Sequence, residues 1–172
     1  MSRRYQTPES ELSQIIRHHL RDNYNAMIAE TVDRQNKPAV KYYWPKDVSD
    51  IIDNAEIMTL INEAKYLREK PNASKMIDYL DTGWYETQSA GYPDLTVVLP
   101  LLNTVAFFEL KTETDLTSWQ QLLFIEIMSR LGFCAGFVRS IDDVDQLIAN
   151  WQKAQVEKEL AKNLFGERVA RF

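Results

Sequence analysis

Cysteine, histidine and glycine are scarce in this chain, and each scarcity removes a class of protein. Its 172 residues include one cysteine, Cys134, and two histidines, His18 and His19. A single cysteine cannot close an intrachain disulfide, and no Cys/His cluster at zinc spacing exists. With five glycines and six prolines the chain is neither collagenous nor low-complexity. Long hydrophobic runs are missing too. The most apolar stretch, residues 95–110, is cut by Pro100 and Asn103, and is too short and broken to span a bilayer. The N-terminal Met1-Ser2-Arg3-Arg4 is basic, but residues 5–11 are polar where a signal peptide requires an apolar run. A cytoplasmic protein with no membrane partner is expected. Positive charge is not in excess: 20 Lys and Arg stand against 25 Asp and Glu, for a net charge of -5. That argues against a non-specific basic coat on nucleic acid. It leaves room for an enzyme whose metal ions bring their own positive charge.

What is present suits one globular domain over residues 1–172. Hydrophobic residues make up 45% and charged residues 26%, enough apolar material to close a core without staples. Thr7 and Pro8 open a first helix, and Leu12, Ile15, Ile16 and Leu20 follow on one stripe. Residues 21–46 give little pattern beyond a short strand over 40–44. A helix is predicted over 48–68, broken by Pro71-Asn72 and resumed over 74–80. Residues 95–99 and 104–110 are two apolar runs joined by a short turn, which is a hairpin signal. A very apolar helix over 116–131 ends at Gly132, and 133–138 reads as a buried strand. Ser140 and Asp143 resemble a capping box opening a last helix to about residue 163. Val144, Leu147, Ile148 and Trp151 are its core-facing residues. This mixture predicts an α/β fold around a central mixed sheet flanked by helices.

The chemistry is concentrated in Gly91-Tyr92-Pro93-Asp94-Leu95 and Phe107-Phe108-Glu109-Leu110-Lys111. Asp94 stands at the entrance of the first hairpin strand. Glu109 and Lys111 stand near the end of the second, two residues apart and therefore on one strand face. An antiparallel hairpin returns the second strand's end to the first strand's start, so Asp94 and Glu109 come close enough to share a divalent cation. Two carboxylates are hard oxygen ligands suited to Mg²⁺ or Mn²⁺. Such a metal polarises a phosphate and lowers the pKa of a bound water, and a lysine beside it stabilises the charge of the transition state. Glu63-Ala64-Lys65 is a second Glu-x-Lys, but it lies in a helical pattern with no aspartate strand before it and reads as a solvated face.

These segments, with Leu116-Thr117-Ser118-Trp119-Gln120, resemble the motif series of the VRR-Nuc family of the PD-(D/E)XK nuclease superfamily. The series is a glycine before Pro-Asp, a strand ending Glu-x-Lys, and Ser/Thr-x-x-Gln at the start of a helix. A glycine and a strand ending Val138-Arg139 follow, then Asp142-Asp143-Val144. The resemblance covers about residues 91–147. It implies a restriction-endonuclease-like core of helix, three strands, helix and strand. It implies a Mg²⁺-dependent endonuclease hydrolysing DNA, on a structured, branched substrate in replication, repair or phage DNA processing. The cell would be a bacterium or a phage-infected host. Recognition of a short palindrome is a second enzymatic possibility. By the same resemblance Glu9, Asp94, Glu109 and the Leu110 carbonyl hold metal, with Glu11 the alternative to Glu9. Lys111 positions the attacking water, Gln120 supports it, and the protein is a homodimer. The rival implication is a catalytically inactive nuclease-fold module that binds DNA or a protein partner.

Compact members of that family are short between the first helix and the glycine. Here residues 38–82 are expected to be an insertion, and 150–172 a C-terminal helical extension. Lys41, Tyr43 and Trp44, with Arg139, are candidate substrate-binding residues, because aromatic rings flanked by cations stack on unpaired bases. Packing of Tyr43 and Trp44 on the core is the plainer alternative. His18 and His19 are adjacent and cannot share a helix face. Cys134 reads as an inert core thiol. Arg3, Arg4, Lys162, Arg168 and Arg171 read as charged termini or as grips on a phosphate backbone.

Overall fold

Alternation of buried and half-buried residues builds the sheet that carries the site. The computed structural model describes residues 8–30, 52–72, 74–76 and 91–169. In β2 (Leu95–Leu99), Leu95, Val97 and Leu99 are buried while Thr96 and Val98 are half-buried. It pairs antiparallel with β3 (Thr104–Leu110) in the register Leu95↔Phe108 through Leu99↔Thr104. The link is a single 3-10 turn, Pro100–Leu102, closed by Asn103 at φ 49°. β1 (Met27–Glu30) adds antiparallel to β2, and β4 (Cys134–Val138) adds parallel to β3. The sheet order is therefore β1-β2-β3-β4.

Helices cover both faces. On one face Leu95, Val97, Ala106, Phe108 and Leu110 pack against Ile16 and Leu20 of α1 (Pro8–Tyr24) and Val144 and Ile148 of α4 (Ile141–Val169). On the other, Phe107, Ala135 and Phe137 lie against Leu123, Phe124 and Ile127 of α3 (Trp119–Arg130) and Ile57 and Ile61 of α2 (Asn54–Glu63). The result is an α/β sandwich, with α3 as the crossover that parallel strands β3 and β4 require. None of the described helices is long and apolar enough to cross a membrane.

Several expected boundaries shift for local reasons. The predicted helix over 48–68 is shorter: Asp53 and Glu56 form a capping box that opens α2, and Ala64 ends it in extended backbone. Residues 74–76 are helical, and 77–80 lie outside the described residues. Ser118 caps α3, so residues 116–118 precede the helix rather than begin it. β1 has no counterpart in the sequence reading; its short, mostly exposed edge carries no alternation to read. The strand expected over 40–44 lies outside the described residues, as do Lys41, Tyr43 and Trp44. α4 runs unbroken to Val169, through the described part of the expected extension. Trp151 Nε1 and Gln155 Nε2 donate to the Gly132 carbonyl at 2.7 and 3.3 Å, while Val156 and Leu160 beyond them are exposed.

A polar clasp ties α1 to α4. Asp145 Oδ1 lies 2.6 Å from His19 Nε2 and accepts from the Tyr24 hydroxyl at 2.7 Å. Burial, then this carboxylate, pushes the Tyr24 hydroxyl up to about 12. Hydrogen bonds from His19 and Tyr24 outweigh desolvation and hold Asp145 below its ordinary value. Stability from a carboxylate lowered in this way is present above its unfolded pKa and is lost as pH falls through the folded one. Asp145→Ala is expected to lower the unfolding free energy by about 1–3 kcal/mol in urea titrations at neutral pH, with the gap from wild type closing in acid.

Candidate active site

Strand parity decides what meets at the end of β3. Ala106, Phe108 and Leu110 face α1 and α4, so Glu109 and Lys111 project to the α3 side. Both are buried, at 2% and 6% exposure. Asp94 immediately precedes β2, and the Leu95↔Phe108 register brings it opposite Glu109. The Leu110 N–H donates to Asp94 Oδ2 at 2.8 Å, pinning the aspartate to the end of β3. Lys111 is held in place by its own N–H, which donates to the Val138 carbonyl at 3.0 Å.

Lys111 Nζ lies 2.9 Å from Glu109 Oε1 and donates to Gln121 Oε1 at 3.2 Å. Gln121 Nε2 donates in turn to Glu109 Oε1. Gln121 is also the N3 residue of the α3 capping box, its Oε1 accepting from the Ser118 N–H at 2.9 Å. One amide therefore caps the helix and clamps both the carboxylate and the ammonium. After Lys111 the chain is stapled by Asp115, whose Oδ2 accepts from the Thr112 N–H at 2.6 Å.

Glu109 Oε2 is buried with no hydrogen-bond partner among the described residues. Burial raises the Glu109 pKa to about 8, with the Asp94 charge adding to the rise and Lys111 opposing it. Asp94 is raised as well, chiefly by burial, while the Leu110 N–H opposes and the Glu9 charge adds. An ion pair beside an upward shift is no contradiction: one ammonium does not offset the desolvation of two neighbouring carboxylates. An orphaned carboxylate oxygen and a second, half-buried carboxylate fit a small divalent cation, whose charge offsets their repulsion. Among the described residues no group of three or more Asp, Glu, His or Cys side chains is gathered as a ready cation cage.

The expected site residues fall into distinct places. Asp94, Glu109 and Lys111 converge. Glu9 is exposed in the first turn of α1, with its charge acting on Asp94; Glu11 is exposed in the same turn. Leu110 contributes its N–H to Asp94. Gln120 lies under Gly91: a Cβ on Gly91 would stand 2.7 Å from the Gln120 carbonyl carbon and oxygen. Arg139 is exposed just beyond β4, near enough for its charge to act on Asp115. Sequence reasoning passed over Gln121, although Ser118-x-x-Gln121 has capping-box spacing, the same pattern as Thr117-x-x-Gln120 one register later. Cys134 is buried in β4 with its thiol pushed up to about 12, which leaves it without thiolate chemistry. A groove of about 620 Å³ lies elsewhere, between α1 and β1, and none of the three converging residues lines it.

Comparison with protein-family models, with curated proteins and with solved structures finds no match to this chain.

Two measurements check this geometry. Gly91 has φ +87° and no room for a Cβ, so Gly91→Ala is expected to destabilise the fold by about 2 kcal/mol or more in urea titrations. Glu109 binds its proton more tightly folded than unfolded. Its contribution to stability is therefore greatest below the unfolded value of 4.5 and is lost as pH rises towards about 8. Metal-free wild type should lose stability across that window, and Glu109→Gln should flatten the slope.

Proposed function

We propose that the protein is a divalent-metal-dependent endonuclease of the restriction-endonuclease-like type, hydrolysing DNA phosphodiester bonds. The observation that carries this reading is the convergence of Asp94, Glu109 and Lys111 at one end of the β2–β3 pair, with a buried carboxylate oxygen unpartnered among the described residues. The order α1, β1, β2, β3, α3, β4, with α2 inserted, agrees with the helix, three strands, helix and strand expected from the motif resemblance.

In this reading Asp94 and Glu109 would hold Mg²⁺ or Mn²⁺, and the motif resemblance adds Glu9 and the Leu110 carbonyl as further ligands. The metal supplies Lewis-acid polarisation of the phosphate and a water of lowered pKa. Lys111 orients the attacking water and donates to the oxygen on which negative charge develops. Its burial and the Gln121 clamp hold the ammonium in one position, so little reorganisation is needed as charge builds. Burial of Glu109 and Lys111 keeps bulk water from competing for them. A branched substrate in replication, repair or phage DNA processing, a homodimer and a cytoplasmic location complete the proposal, all from the motif resemblance.

A second reading is a catalytically inactive module of the same fold that binds DNA or a protein. It is favoured by the absence of a third converging acid among the described residues. One assay separates the two. Supercoiled plasmid, linear duplex, single strand, RNA and a four-way junction are incubated with Mg²⁺ or Mn²⁺. Cleavage is expected to fall at least a hundredfold in Lys111→Ala, and Mn²⁺ is expected to raise the melting temperature of wild type but not of Asp94→Asn. A folded wild type that neither cuts any substrate nor responds to metal belongs to the second class.

A further inference from the structure

We propose that the segment from Lys65 to Lys70 is a nucleic-acid-binding strap that seats an unpaired base on Tyr66 beside the active site. The proposal rests on the nuclease reading and names where the substrate is gripped. This segment follows α2 and is bound to the residue just before the α3 cap. The Thr117 N–H donates to the Tyr66 carbonyl at 2.9 Å, and the Arg68 N–H donates to the Thr117 carbonyl at 2.9 Å. Together they make a parallel bridge centred on Leu67 and Thr117. Ser118, the next residue, caps the helix whose Gln121 clamps Glu109 and Lys111. The strap is thus joined through backbone to the catalytic constellation rather than hung on a free loop.

Leu67 makes a one-residue bridge between a turn at Lys65–Tyr66 and a bend at Arg68, and exposure separates the side chains on either side of it. Leu67 packs against the α2–α3 core, while Tyr66 and Arg68 on either side of it are exposed. Tyr66 is 68% exposed, and Leu116 beside the bridge is 44% exposed. An aromatic ring this open gains nothing from the core. Lys65, Arg68 and Lys70 are all exposed, and none forms an ion pair among the described residues. Against them stands Glu69 alone within the strap, so a locally cationic edge arises in a chain of net charge -5. An exposed ring between cations that pair with no described residue is the arrangement that stacks a base while neutralising the phosphates on either side. A fully paired duplex offers no base face to such a ring, so the ligand is a single strand or the unpaired arm of a branched one.

The test is fluorescence anisotropy on the full chain, with Ca²⁺ in place of Mg²⁺, using a labelled single strand, a blunt duplex and a duplex bearing a single-stranded flap. Tyr66→Ala is expected to weaken binding to the single strand and the flap about 10-fold, and to leave the blunt duplex within about twofold. Tyr66→Phe should retain wild-type affinity. Arg68→Ala should weaken binding to all three and reduce the salt-dependence slope by about one. Because both side chains are exposed, melting temperatures should stay near wild type. Equal binding of all three ligands by wild type and Tyr66→Ala overturns the strap while leaving a cleaving wild type a nuclease. A wild type that neither binds nor cuts any nucleic acid overturns both.

Discussion

Burying a glutamate and a lysine at the end of an apolar strand, with an aspartate against them, is the constraint on which the rest of this structure depends. Glu109 and Lys111 are nearly inaccessible, and their mutual attraction does not repay the loss of water around two carboxylates and one ammonium. Everything adjacent reduces that penalty. The Leu110 N–H serves Asp94, and the Gln121 amide serves Glu109 with one end and Lys111 with the other. What is left unserved, Glu109 Oε2, is where a cation finds its place in the proposed chemistry.

That arrangement explains features that look unrelated. Gly91 approaches the Gln120 backbone more closely than any side chain permits, which lets the turn before Pro93-Asp94 lie on the N-terminus of α3. The same N-terminus places Gln121 over β3. The β2–β3 register is equally demanding, because a slip of one residue turns Glu109 to the α1 side and Phe108 to the α3 side. The apolar alternation of Leu95, Val97 and Leu99 against Ala106 and Phe108 prevents that slip. Packing of the core and placement of the charged residues are one requirement stated on two faces of a strand.

Between β1 and β2 the described residues include a further helix, α2. α2 covers the sheet beside α3, and Arg130 joins them by reaching Glu56 at 2.9 Å and Glu126 at 2.8 Å. From there the chain returns to Thr117 by two backbone hydrogen bonds. The α2 segment is therefore anchored next to the α3 cap, and under the proposed function its outward side chains would be among those a long substrate meets.

Legibility of the chain followed the range of the interactions involved. The β2–β3 hairpin, α3, β4 and the start of α4 were readable because period-two alternation, a capping serine and a terminating glycine act within a few residues. Asp94, Glu109 and Lys111 were readable as a group because strand parity and a short turn together imply a meeting. β1 was not, since an edge strand with one half-buried residue takes its identity from the Met27–Glu30 pairing with β2 at Leu95–Val98, far away in sequence. Gln121 was missed in favour of Gln120 because two adjacent glutamines satisfy the same spacing, and only the cap at Ser118 decides which one faces β3. By itself the sequence determined the local elements and the pairing of carboxylates with a lysine on one hairpin. The tertiary structure decided which amide clamps them and which segment packs beside that amide's helix cap, because those depend on where distant elements pack and not on any local period.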